Sequence, residues 1–557
     1  MKKYSLFFVF ILLVFVSQAW AESYYVHPFL GKDANRGTSP EKPWKTLGKV
    51  NKARFKAGDR VLFAANTKFW GSLVIRGQRG SKAKPILYAT YDGGEAPSDK
   101  RVTLNAKGKL YGILVENSSH IKVSNFHITA NGGGLSEKFL REWKQKKKNA
   151  RRFKTLMRLG VLVDSSDITE NIHFEGLRIE DVFFNEAGVS RSIEETRTSV
   201  GTQEYGFGMR FFSQKGAVLK DVRVSRSSIR NVSHTGMKYT SRGGKVVNMV
   251  IDNRRVEDVG GPGLQMSGVR GGYVAHNIVT GSGSVTDSRN WGRGSGMWTW
   301  GSHNILIEHN QFMNANGPGD SAGFHVDFNC TNIIFQYNLS ANNAGGFIEI
   351  LGNNHNSAYR YNVSVNDGHR IKGKNNAFQE GKVFWLSGFV GRKRKQHGPY
   401  NSYIYNNTIY VKKESLAKMA VTRTAKGVMV VNNIFHIMGR SVAVKGDQYR
   451  PAPQDKKRLV EHTVFKNNLF LKKGSWPRSI AIQPSGSFYG DAEFVNGGGL
   501  NIRDYIPQNK RLVKDRGVVV PKIPGDKIGL VVGLRVEKDI LGNPIRGKPD
   551  MGAIEMK

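Results

Sequence analysis

The sequence predicts an all-β protein, a single-domain right-handed parallel β-helix. Three observations carry this. A short strand-like phrase ending in Asn recurs along most of the chain. Its spacing falls in the range of stacked-repeat proteins. Six of the repeats share a further strand that opens with Gly.

The phrase appears as His120-Ile-Lys-Val-Ser-Asn125, Asn248-Met-Val-Ile-Asp-Asn253, Gly272-Tyr-Val-Ala-His-Asn277, Asn304-Ile-Leu-Ile-Glu-His-Asn310, Asn332-Ile-Ile-Phe-Gln-Tyr-Asn338 and Ala358-Tyr-Arg-Tyr-Asn362. It continues at Ser402 to Asn407, Val428 to Asn433 and Val464 to Asn467. Apolar and polar residues alternate, which is the period of a strand and not of a helix. Asn tolerates a left-handed turn and its amide can stack into ladders. A solenoid grows in one dimension, so a chain of 557 residues need not divide into several domains.

The flanks read differently. Lys2 and Lys3 precede an apolar run from Leu6 to Val16, and Ala19-Trp20-Ala21 is a small-x-small site. Residues 1–21 therefore read as a signal peptide cleaved near Ala21, giving a periplasmic or secreted protein. No later stretch is apolar enough to span a bilayer. Residues 22–110 read as an N-terminal cap and first coils, 111–500 as the β-helix and 501–557 as a closing segment. Residues 136–158 interrupt the pattern and read as a basic helical insertion, with Lys144, Lys146, Lys147, Lys148, Arg151 and Arg152. A second basic run is Arg392-Lys-Arg-Lys395. The one cysteine, Cys330, excludes an internal disulfide and reads as a small buried hydrophobe. The chain is expected to be a monomer.

Charge narrows the partner. Lys and Arg number 84 against 44 Asp and Glu, a formal charge of +40. Such an excess attracts polyanions. An exported chain without a nucleic-acid motif is expected to meet an acidic polysaccharide, with nucleic acid an unlikely partner.

Both ends carry a resemblance. The opening has Tyr24-Tyr-Val-His-Pro28, Gly31-Lys-Asp33, Pro43-Trp-Lys-Thr-Leu47 and Gly58-Asp-Arg-Val61. The ending has Asp539 to Gly542, Pro544, Arg546 and Asp550-Met-Gly-Ala-Ile-Glu555. These, with Gly323-Phe-His-Val-Asp327 and Arg360-Tyr-Asn-Val-Ser364, resemble the secreted right-handed parallel β-helix superfamily that contains pectate-lyase-like enzymes. The resemblance implies the fold and a carbohydrate-active role. It does not choose a reaction, because this fold hosts lyases, hydrolases, esterases, epimerases and tailspikes. Alginate- and chondroitin-type lyases of the fold carry Glu-x-Glu-Ile with a following Lys. Here Ile348-Glu349-Ile350 has one Glu, and Asn354 stands near the Lys position.

The Gly-led strands point to a site. They are Gly208-Met-Arg-Phe-Phe212, Gly236-Met-Lys-Tyr-Thr240, Gly263-Leu-Gln-Met-Ser267, Gly296-Met-Trp-Thr-Trp300, Gly323-Phe-His-Val-Asp327 and Gly346-Phe-Ile-Glu-Ile350. Aligned on Gly, the second position is apolar and faces the core, so the third and fifth face outward. The third column reads Arg210, Lys238, Gln265, Trp298, His325 and Ile348; the fifth reads Phe212, Thr240, Ser267, Trp300, Asp327 and Ile350. Trp298 and Trp300 offer flat faces to sugar rings, with Gln265, Thr240 and Ser267 beside them. His325 and Asp327 are expected to form an oriented acid/base pair. The loop Gly317-Pro-Gly-Asp320 brings Asp320 towards Asp327. Asp320 and Asp327, with Asp287, are alternatively a Ca²⁺ site. The alignment turns Glu349 inward unless a bulge brings it out.

Three functions follow. A polysaccharide lyase would neutralise a uronate with Arg210 or Lys238 and take its C5 proton with Lys238 or His325, Ca²⁺ assisting. A glycoside hydrolase would use Asp327 with Asp320 or Glu349. A non-catalytic glycan-binding or matrix protein would use the groove alone. The lyase is favoured on charge.

Overall fold

The structure, a computed structural model, describes residues 21–93, 100–130, 159–183, 206–284, 293–375, 377–391, 393–445 and 459–557. The basic segment 136–158, Asp287 and Arg392 lie outside them, as do residues 1–20. Three sheets wind round one axis: a 14-stranded sheet A, a 14-stranded sheet B and a 12-stranded sheet C. Each turn of the chain supplies one strand to A, then B, then C, and each strand pairs in parallel with its counterparts in neighbouring coils.

Alternation explains the core. In sheet C, Met237, Tyr239, Leu264, Met266, Met297, Phe324 and Val326 point inward and join one continuous apolar cluster with inward residues of A and B. At the N-terminal end the helix Leu47–Lys52, capped by the Thr46 side chain, lays Leu47 and Val50 over the first coils. Trp44 closes the same end, stacked on Tyr24 at 5.0 Å.

From Asn277 onward an Asn of each phrase turns into the lumen between sheets A and B, whereas Asn253 is exposed and Asn125 half-buried; in the phrase ending at Asn467 the inward residue is the following Asn468. Asn277, Asn310, Asn338, Asn362, Asn407, Asn433 and Asn468 form a ladder in which each Nδ2 donates to the next Oδ1 at 2.8–3.1 Å. Asn338 shows the full pattern. It donates to Ile307 O, Gln336 O and Asn362 Oδ1, and its own Oδ1 accepts from the Asn310 N–H and Nδ2. All seven are buried, where an unmade hydrogen bond costs most.

The C-terminal segment runs back over the outside. Ile523 and Leu530 pack on Tyr403 and Met429 outside sheet A, and Ile540, Ala553 and Ile554 pack on Leu339 and Val363 outside sheet B. Arg360 anchors it by donating to Gly533 O at 2.6 Å. Sheet C keeps its own outer face. Among the described residues no helix is long and apolar enough to cross a membrane.

Asn338→Ala strands several buried donors and acceptors, so it is expected to lower the unfolding free energy by more than about 3 kcal/mol. Asn277→Ala, at the ladder's end where Oδ1 accepts nothing, is expected to cost clearly less. Denaturant titration of both variants checks this; equal losses would count against the ladder.

Candidate active site on the outer face of sheet C

The Gly column is a packing device. A Cβ on Gly208, Gly236, Gly263 or Gly296 would stand 2.5–2.6 Å from the carbonyl oxygen of the next glycine in the stack. The stack ends at Gly323, whose Cβ would meet Ser340 instead. Beyond it the register moves by one residue: Gly346 bridges Ala322, and Val326 pairs with Ile350.

That shift corrects the sequence alignment. Ile348 and Ile350, expected outward, lie in the core. Glu349, expected inward, takes the outer position beside His325. A one-residue slip reverses every side chain of a strand. The outer column therefore reads Arg210, Lys238, Gln265, Trp298, His325, Glu349 and Trp385.

Coil spacing divides this column. Strands stack roughly 4.8 Å apart. Lys238 stands three strands from His325 and Arg210 four, so about 14 and 19 Å separate them along the stack. The structure does not bring Arg210 or Lys238 to His325. Arg210 is buried, its guanidinium 4.5 Å from the Phe207 ring and 4.2 Å from Phe212. Gln265 donates to Ser267 at 3.1 Å, both buried, and Thr240 is half-buried next to them.

Around His325 the groups do converge. Trp298 tilts against the His325 ring at 5.3 Å, and Trp300 is 42% exposed at the rim. Phe328 meets Trp300 and Phe389 edge-on, making an apolar wall. His325 Nδ1 is hydrogen-bonded to Ser295 Oγ at 3.1 Å. Ser295, and not Asp327, orients the imidazole, because Asp327 lies one step along the strand and its Oδ1 accepts from the Phe328 N–H at 2.8 Å. Asp320, on the turn entering this strand, pairs with Arg293 at 3.3 Å.

Burial dominates the electrostatics. It pushes Asp327 up to about 7, with the Asp320 charge adding to it, and pushes Glu349 up to about 8. It pushes His325 down to about 4, leaving a neutral and weakly basic imidazole. Burial acts on Asp320 as well. There Arg293, His325 and Arg370 outweigh it, and the carboxyl titrates below its ordinary value. Three buried carboxyl groups thus lie within electrostatic reach of one another, and of the three only Asp320 pairs with a cation at contact distance.

This donor set does not suit Ca²⁺. Arg293 occupies Asp320 and burial favours neutral Asp327, whereas Ca²⁺ draws on six to eight oxygens, with ionised carboxylates prominent among them. Among the described residues no three His, Cys, Asp or Glu side chains gather as metal ligands. Arg293, Arg370, Gln379, Lys382 and Trp385 were not legible as site residues. Their strand or loops lack the Gly-led phrase, and only the winding brings them here.

Comparison with known proteins agrees with this architecture. A family profile described as a right handed beta helix region matches residues 208–409. XylC in complex with xylose superposes with a TM-score of 0.53, at 11% identity, over 96% of this chain and 98% of that one. The chain has the right-handed parallel β-helix fold. A lacto-N-biosidase of Bifidobacterium longum subsp. longum is 24% identical across 96% of this β-helix chain, which spans 36% of that relative's length. The crystal structure of a GH136 lacto-N-biosidase from Eubacterium ramulus superposes with a TM-score of 0.49, at 18% identity, over 76% of this chain and 67% of that one.

The raised carboxyl groups have a thermodynamic sign. A folded-state value above the unfolded one stabilises the protein at low pH, and that contribution is lost as pH rises through the folded value. Stability should therefore fall between about pH 4 and 7 as Asp327 is forced to ionise. Asp327→Asn is expected to flatten this slope, read from thermal unfolding midpoints across that range.

Proposed function

We propose that this chain is a glycoside hydrolase. One observation carries the proposal: Asp320 and Asp327 are buried within electrostatic reach of each other, and their surroundings drive their titration in opposite directions. A general acid must hold a proton near working pH, while its partner must stay charged as the sugar becomes oxocarbenium-like. Asp327 has the environment of the acid and Asp320 that of the ionised carboxylate. Glu349 is buried like Asp327, which raises it against the pull of Lys382, and its outer position beside His325 suits a group that hydrogen-bonds sugar hydroxyls. Trp298 and Trp300 give the ring a face to rest on.

The lyase scheme finds less support. It needs a cation on the uronate carboxylate and a base at the adjacent carbon. Arg210 and Lys238 stand too many coils from His325 for this, and a base that titrates near 4 draws a carbon-bound proton poorly. The Bifidobacterium relative is a glycosidase by name, in line with hydrolysis. The chain's +40 charge favours substrates presented in an acidic or sulfated glycan, and its leader-like opening favours action outside the cytoplasm.

The test is incubation with a 4-nitrophenyl lacto-N-bioside and a panel of acidic and sulfated polysaccharides. New reducing ends or nitrophenol without unsaturated-uronate absorbance are expected, unchanged by chelator. Absorbance rising with reducing ends would establish a lyase instead.

Asp320→Asn and Asp327→Asn are each expected to lower kcat at least 10³-fold with the fold intact by circular dichroism. In the parent enzyme kcat/KM should decline above about pH 7 as Asp327 ionises. A plateau extending to pH 9 would remove Asp327 as the acid.

A further inference from the structure

The turn carrying Asp320 is strained. Asp320 and Ser321 are consecutive non-glycine residues with φ of 46° and 62°, a left-handed pair that side chains disfavour. The turn also lies hard on its neighbour: a Cβ on Gly345 would stand 1.8 Å from the Asp320 carbonyl oxygen. Inside the turn, Ser321 Oγ accepts from the Gly317 N–H and donates to Gly319 O, both at 2.8 Å. Those bonds shape the loop but do not tie it to the rest of the protein.

Besides the Gly345 N–H, which donates to Ser321 O at 2.8 Å, the tie comes from Arg370, Phe378 and Gln379, just before the strand Lys382–Leu386 two coils away. The Asp320 N–H donates to Gln379 Oε1 at 2.5 Å. Arg370 fixes Gln379 by donating from Nε to its carbonyl oxygen at 2.7 Å, and reaches the turn itself by donating from Nη1 to Gly317 O at 2.8 Å. The Phe378 N–H donates to Pro318 O at 3.0 Å, and the Phe378 ring sits where a Cβ on Gly319 would be. Lys418 secures the clamp from behind, donating to Arg370 O at 2.6 Å and pairing with Glu380 at 3.4 Å. The polar atoms of Gln379 and Arg370 are committed to this clamp: Gln379 Oε1 accepts from the Asp320 N–H, and Arg370 donates to Gln379 O and Gly317 O.

We infer that Gln379, held by Arg370, is a positioning residue that keeps the Asp320 turn in its left-handed form and so aims the Asp320 carboxylate at the pocket. The inference rests on the hydrolase assignment for its catalytic consequence, though not for its geometry. Strained residues persist where surrounding contacts over-determine them. Arg370 on Gly317 O, Phe378 on Pro318 O and the Gly345 N–H on Ser321 O hold the ends of this turn, and the Gln379 amide oxygen holds the Asp320 N–H itself. Without that oxygen the Asp320 N–H loses its acceptor, and the peptide at Asp320 relaxes and carries the carboxylate away from Arg293. Displacement of about 1 Å costs on the order of 10²-fold in rate. Substrate affinity, set by Trp298, Trp300 and Glu349, does not depend on this turn.

Crystal structures and kinetics of Gln379→Ala and Gln379→Glu test this on the full chain with the 4-nitrophenyl lacto-N-bioside as probe. Glu keeps an acceptor oxygen at the same place. In Gln379→Ala the φ of Asp320 or Ser321 is expected to leave the left-handed region and the Arg293 contact to open. Its kcat should fall about 100-fold with KM within threefold, and Gln379→Glu should recover most of that loss. An unmoved turn in Gln379→Ala, an unchanged kcat, or equal losses in both variants would overturn the inference. If the parent enzyme does not cleave the probe, the hydrolase assignment fails for that substrate, and the turn geometry in the two crystal structures still decides the clamp.

Discussion

Each coil of this molecule is held to the next at a single offset. Backbone bonds of the three sheets set the spacing, and the buried Asn ladder from Asn277 to Asn468 ties the turn between sheets A and B to one register. An asparagine that slipped by a residue would leave its amide unpaired in the lumen, which is expensive. Because side chains alternate along a strand, the same offset decides which groups face the core and which face the groove. The pocket is a product of that constraint. Glu349 belongs to it because the register moves by one residue at Ala322 and Gly346.

Coverage of the other faces then assigns the site to sheet C. The C-terminal segment lies over the outside of A and B, where Tyr403, Met429, Leu339 and Val363 receive its apolar side chains. On sheet C the aromatic wall of Trp300, Phe328 and Phe389 stands beside buried Asp320, His325, Asp327 and Glu349. Burial is applied to four titratable groups at once. It neutralises His325 and pushes up Asp327 and Glu349, and the Arg293 and Arg370 guanidinium groups exempt Asp320. A difference in partners, within one shared desolvation, is what separates an acid from an ionised carboxylate.

Much of this was legible beforehand. Period-two alternation and the recurring Asn pointed to stacked parallel strands, and the Gly-led strands located Trp298, Trp300, His325 and Asp327 on one outward face. Asp320 was legible from its place just before that strand. Arg210 and Lys238 were legible as members of the same column, but a column says nothing of separation until its strands are counted. Ca²⁺ binding was a reading of the carboxylates alone, and Arg293 stands against one of them, Asp320.

The sequence by itself determined the coil, because alternation, Asn turns and glycine corners are local properties that each repeat from Asn253 to Asn433 carries within its own 24 to 45 residues. Only the tertiary structure decided the site. Arg293, Gln379 and Arg370 reach Asp320 from segments 27 to 59 residues away, brought there by the pitch of the winding. Register, burial and charge pairing are relations between coils, and no single repeat encodes them.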